Sequence, residues 1–158
     1  MSARGKVSIL IGSESDRPVL EEAVRVLDQL GIPHEMEQAS AHRSPDRVRE
    51  IVRGGPARGI QVFIAAAGMA NHLAGAVAAH TTRPVIGVPL AGSPLGGADA
   101  LLSTVQMPAG VPVATVAIGS AGAKNAAVLA AQILALADPA IQIKLDDLKE
   151  RLARGEKL

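Results

Sequence analysis

Val7-Ser8-Ile9-Leu10-Ile11-Gly12-Ser13-Glu14-Ser15-Asp16 runs from a short, β-branched apolar segment straight into turn formers. Helical spacing follows at once. Val19, Leu20, Ala23, Val26, Leu27 and Leu30 fall on one face between Arg17 and Leu30. Asp16 is the expected N-cap, and Pro18 lies in the first turn, where its missing N–H is no loss. Gly31 stops the helix. A buried strand, a turn and an amphipathic helix begin a βαβ unit, and the rest of the chain repeats that grammar.

Pro33–Gln38 alternates weakly and predicts a more exposed strand, followed by the loop 39–44 and a helix over Pro45–Arg53 with Ser44 as its cap. Gly54-Gly55-Pro56 breaks that helix. Further strands are expected at Gln61–Ala66, Pro84–Val88 and Val113–Ile118. Helices are expected at His72–Thr81, Ala98–Thr104, Lys124–Ala137 and Ala140–Arg154. Strands alternating with helices imply right-handed crossovers and a mostly parallel sheet covered on both faces. No linker or fixed-period repeat divides the chain, so residues 1–158 are expected to form a single domain. Its last helix carries the apolar stripe Ile141, Ile143, Leu145, Leu148 and Leu152, suited to its own domain or to a neighbouring subunit.

Composition narrows the function. Of 158 residues, 48% are hydrophobic, which supports a packed core. One Phe, no Trp and no Tyr leave no stacking platform for single-stranded nucleic acid. Sixteen basic against fifteen acidic residues give a net charge of +1, so no general basic field would attract nucleic acid or an anionic membrane. The chain has no Cys, which removes disulfides, thiolate metal sites and Cys nucleophiles and suits a cytoplasmic protein. Residues 1–6 form a short polar lead-in, and the apolar run after it is too short for a secretory signal. The long apolar stretch from Gly110 to Ala137 contains Pro112, Lys124, Asn125 and Gln132, and a strand followed by a buried helix explains it better than a membrane span.

In open parallel sheets, ligands bind where strand C-termini meet helix N-termini. Gly12–Asp16 offers backbone N–H groups and the Ser13 hydroxyl for phosphate, with Asp16 as an acceptor for ribose hydroxyls; plain helix capping would use the same residues. In Ser40-Ala41-His42-Arg43-Ser44-Pro45, His42 is placed to shuttle a proton and Arg43 to grip a phosphate, although a solvated surface loop would look similar. In residues 65–75, small side chains let a ligand approach the backbone. His72 there is either a binding or lid residue or a helix cap. His34 and His80 lie outside these loops. No spacing of histidines with carboxylates suggests a metal site. No phosphate loop, dinucleotide fingerprint or nucleophile elbow is present.

Several segments in this order resemble the PurE family of purine biosynthesis. They are Gly12–Asp16, Ser40–Pro45, Ala67–Gly75, Pro84–Pro89, Gly97–Pro108 and Pro112–Gly119, and they span roughly Val7 to Leu136. The combination of S-A-H-R-x-P with L-L-S-x-V-Q-M-P is the specific part. The resemblance implies a three-layer α/β/α sandwich with a mostly parallel, flavodoxin-like sheet. It also implies a cytoplasmic homo-octamer with sites at subunit junctions. The implied reaction moves a carboxylate from the exocyclic nitrogen of aminoimidazole ribonucleotide to ring carbon C4, with no metal or organic cofactor. His42 would be the catalytic proton carrier. Ser13, Asp16, Ser40, Ala41, Arg43, Gly68, His72 and Leu73 would bind the ribonucleotide, and residues 119–125 would complete a wall.

Arg43 favours this mutase form over the related direct carboxylase, which carries Lys after the loop histidine. The third loop departs from the family's usual G-G-A-A-H-L-P-G at Asn71 and Ala74, positions that bear on lid stiffness and on the CO2 pocket. A direct carboxylase using CO2 and a non-catalytic flavodoxin-like binding module are the rival readings.

Overall fold

A computed structural model describes residues 6–158, so the expected polar lead-in lies, up to residue 5, outside the described residues. The elements run β1 (Lys6–Ile11), α1 (Arg17–Leu30), β2 (His34–Gln38), α2 (Pro45–Gly54), β3 (Ile60–Ala67), α3 (Leu73–Ala78), β4 (Val85–Pro89), α4 (Ala98–Val105), β5 (Ala114–Thr115), α5 (Ser120–Ala135) and α6 (Pro139–Ala153). All strand pairs are parallel, in the order β2-β1-β3-β4-β5. This is the flavodoxin-like arrangement of a three-layer α/β/α sandwich.

The continuous apolar runs of β1, β3 and β4 follow from burial on both faces. Val7, Ile9, Ile11, Val62, Ile64 and Val88 point to one side, where α1, α5 and α6 cover them. Leu10, Phe63, Ala65 and Val85 point to the other, under α2 and α3. Each fully buried Leu or Ile adds roughly 1.5–3 kcal/mol. Edge strand β2 is only half-buried, as its weak alternation predicts. Burial pushes the Glu35 carboxyl up, but hydrogen bonds from Lys6 and Arg58 hold it below the usual carboxylate range. Its neighbour Glu37 pairs with Arg47 at 2.7 Å.

α1 keeps its predicted bounds, and Gly31 ends it at φ 65°, in the left-handed region. Two expected caps do other work. Asp16 caps no N–H of α1; its carboxylate accepts from the Ser13 N–H at 3.0 Å across the 3-10 turn Glu14–Asp16. Ser44 caps no N–H of α2; its hydroxyl donates to the Ser40 carbonyl and accepts from the Ser40 N–H, bracing the 40–44 loop. α3 is shorter than expected: it begins at Leu73 and stops at Ala78.

The largest departure is at β5, which pairs only through Ala114 and Thr115 instead of Val113–Ile118. α5 begins at Ser120, four residues before the predicted Lys124, and ends at Ala135. The two shifts share a cause. Gly122 lies against the main chain of Ala117, so the first turn of the helix presses on what would be the end of the strand. No helix among the described residues is long and apolar enough to cross a membrane. The α6 stripe divides. Ile141, Leu145 and Leu148 are buried on the chain's own core, whereas Ile143 is 70% exposed.

A Cβ on Gly122 would lie 2.6 Å from the Ala117 carbonyl carbon and closer still to its oxygen. Gly122→Ala should therefore lower stability by about 3 kcal/mol or prevent folding. Gly92→Ala, with open space around the new methyl, should leave the urea midpoint unchanged. An unchanged midpoint for Gly122→Ala would show that the start of α5 relaxes freely.

Candidate active site

Because β2, β1 and β3 are parallel neighbours, their carboxyl ends finish side by side, and the segments after them line one cleft of about 520 Å³. β4 adds Gly92 to its wall. The structure brings the expected catalytic and substrate-binding residues to this cleft: Ser13 and Asp16 after β1, Ser40, Ala41, His42 and Arg43 after β2, Gly68, His72 and Leu73 after β3. Residues 119–125, expected as a wall, do not line it; they form the first turns of α5. His80 lies in a separate hollow beside Arg53 and Pro56. His34 bonds the Ile32 carbonyl through Nδ1 at 3.0 Å.

At the centre, His42 Nε2 and His72 Nδ1 share a hydrogen bond of 2.6 Å, with ring centroids 4.7 Å apart and planes at 76°. One nitrogen must donate and the other accept, so each ring sets the tautomer of its partner. Both side chains are exposed to the cleft. His72 occupies the N-cap position of α3 but makes no side-chain cap, which removes helix capping as the use of its ring.

Arg43 is held by short polar links. Its guanidinium donates to the Gly12 carbonyl at 3.1 Å, and its main-chain N–H donates to the Ser40 hydroxyl at 3.2 Å. The cation thus bridges the loops after β1 and β2. Ser13 Oγ accepts from Ser15 Oγ at 3.0 Å. Burial pushes the Asp16 carboxyl above the usual carboxylate range; the Ser13 N–H and the charge of Arg43 pull downward without cancelling that rise. Among the described residues, no group of three or more His, Cys, Asp or Glu is placed to hold a metal ion.

Gly12, Ser15, Ala67, Met69 and Ala70 also line the cleft and belong to the two loops expected to meet a ligand, whereas Gly92 was missed. Gly92 had a usable signal, since it closely follows a predicted strand. Met69 adopts φ 54°, and no other non-glycine among the described residues has a positive φ.

The arrangement offers a proton-carrying imidazole pair, an anchored cation and a floor of Gly and Ala that admits a flat ligand. The family described as AIR carboxylase matches residues 6–155. The N5-carboxyaminoimidazole ribonucleotide mutase of Thermotoga maritima is 52% identical over 149 residues, covering 94% of this chain and 86% of that protein. The protein of that name from Bacillus subtilis is 52% identical over 91% of this chain and 89% of its own length. The crystal structure of Treponema denticola PurE superposes with a TM-score of 0.88 at 31% identity, covering 96% of this chain and 94% of that one.

Asp16 yields a pH test. Its folded-state affinity for a proton is raised, so its contribution to stability is fully present below the unfolded carboxylate value and is lost as pH rises through the folded one. Asp16→Asn keeps an acceptor for the Ser13 N–H and removes the buried charge. It should raise Tm by about 1–2 °C near neutral pH, with the gain vanishing as acid protonates the wild type. A Tm below wild type near neutral pH would show that the charge is favourable there.

Proposed function

The chain belongs to the AIR carboxylase family, and we propose that it converts N5-carboxyaminoimidazole ribonucleotide to 4-carboxy-5-aminoimidazole ribonucleotide in purine biosynthesis, with His42 carrying the proton. It is an isomerase, as its relatives' name of mutase says. The observation that carries the assignment of His42 is its bond to His72 in a cleft floored by Gly and Ala, beside the anchored cation of Arg43.

Protonated His42 gives its proton to the exocyclic nitrogen as the bond from that nitrogen to the carboxylate carbon breaks. The bonding pair stays on nitrogen and CO2 departs. Ring carbon C4 attacks CO2 with its π electrons, and neutral His42 removes the C4 proton, which restores the aromatic ring and the imidazolium. One imidazole completes the cycle. Arg43, Ser13 and the amides after β1 hold the phosphate. Asp16 accepts from the ribose hydroxyls, while Ser40, Ala41, Gly68, His72 and Leu73 enclose the base. Gly and Ala let the substrate lie close against the backbone, which holds CO2 next to C4 as it is released.

The proposal takes residues 1–158 as one catalytic domain working in the cytoplasm, in keeping with the metabolic role of the relatives. It also takes the working form as a homo-octamer. Leu95, Leu102, Leu136 and Ile143, each at least 60% exposed in the single chain, support association between copies.

The test supplies N5-carboxyaminoimidazole ribonucleotide, and separately aminoimidazole ribonucleotide with bicarbonate, and follows the C4-carboxylated product. Fast conversion of the first at low bicarbonate is expected. Product from the second alone would assign direct carboxylation instead. His42→Asn should cut kcat by about 10²–10⁴-fold with ribonucleotide affinity nearly unchanged. Turnover at the wild-type rate would remove His42 from the chemistry.

A further inference from the structure

We propose that Asn71 is a positioning residue: a two-point clamp from Asn71 to α4 holds the loop 67–72 in a strained form that presents His72 to His42. Asn71 is fully buried, directly before the exposed His72. Its main-chain N–H donates to Ser103 Oγ at 2.8 Å, and its side-chain Nδ2 donates to Thr104 Oγ1 at 2.9 Å and to the Val88 carbonyl at 3.4 Å.

The polarity of both links is set by α4 itself. Ser103 Oγ donates to the Asp99 carbonyl at 2.7 Å, and Thr104 Oγ1 donates to the Ala100 carbonyl at 2.6 Å. Each hydroxyl has given its proton away and offers only lone pairs, so Nδ2 rather than Oδ1 must face Thr104. Oδ1 meets no donor among the described residues, a cost that the clamp outweighs. Thr104 is seated in turn on β4, where Gly87 leaves room for its methyl group.

Strain lies at the other end of the loop. Met69 stands at φ 54°, where a side chain crowds the backbone, and such a conformation persists only when its surroundings hold it. The clamp is two residues further on, between that strain and the His42–His72 contact. Without it the loop relaxes by releasing Met69 from the left-handed region, and His72 leaves His42. Ser103 and Thr104 belong to the Leu101–Pro108 segment, to which the proposed chemistry gives no other task.

The experiment uses the full chain and has two readouts. One is the ligand-free NMR spectrum of 15N-histidine-labelled protein, which reports the imidazole–imidazole bond. The other, which rests on the mutase reading, is turnover of N5-carboxyaminoimidazole ribonucleotide. Asn71→Ala should abolish the bonded imidazole signature and lower kcat about 10- to 100-fold, with KM changed less than about threefold. Thr104→Val keeps its packing on Gly87 and removes the acceptor for Nδ2 together with the hydroxyl's own bond to the Ala100 carbonyl; it should shift both readouts the same way by less, and it reports even if Asn71→Ala does not fold. Adding Met69→Gly to Asn71→Ala, so that the left-handed conformation costs nothing, should raise kcat at least about threefold over Asn71→Ala.

A lowered Tm with wild-type imidazole signals and kcat would overturn the proposal, leaving Asn71 a packing residue. So would a further loss of kcat on adding Met69→Gly. If the wild type itself turned over no substrate, the mutase reading would fall, while the imidazole signals of Asn71→Ala and Thr104→Val would still decide the clamp.

Discussion

β1 is hydrogen-bonded along both edges, with Val7–Ile11 against His34–Gln38 of β2 on one side and against 62–66 of β3 on the other. Parallel strands roughly 4.8 Å apart finish side by side, so this pairing alone sets the spacing of the three loops that make the cleft. The register is guarded by burial. Ile9 faces the layer of α1 and α5, and Leu10 faces that of α2 and α3. A slip of one residue would exchange the faces and carry Gly12 away from the Arg43 that bonds it. The cleft is therefore as precise as the core beneath it.

Where signals are local, sequence and structure coincide. Pro18 and Gly31 bracket α1, and Pro45 opens α2. Where a distant contact decides, they part. β5 and the start of α5 moved because Gly122 meets Ala117, and a run of small residues does not announce such a contact. Asp16 and Ser44 stand where caps belong, yet their oxygens are engaged by Ser13 and Ser40. The cleft residues were legible because a doubly wound topology sends the loop after each strand to one edge. The bond between His42 and His72 was not, since 30 residues separate them. Neither was the anchoring of Asn71, because a buried amide in a loop of Gly and Ala has no periodic signature.

A chain with one Phe, no Trp and no Tyr must recognise a flat heterocycle without a large aromatic platform. The cleft meets that need with backbone and small groups, hydroxyls, a held guanidinium and two imidazoles. Such a site depends on the exact course of three loops more than on the bulk of any side chain. That explains why so many short polar links brace them: Ser44 to Ser40, Arg43 to Gly12, Asp16 to Ser13.

The two margins of the sheet, a half-buried strand and a shortened one, together limit how copies of the chain can meet. β5 offers two paired residues, preceded closely by Pro112, which has no N–H to donate. β2 is lined with Glu35 and Glu37, each held in an ion pair with a neighbouring cation. Neither margin is a template on which a further strand could zip. Any assembly must be built through helices and loops, which keeps crowded copies from fusing into a continuous sheet.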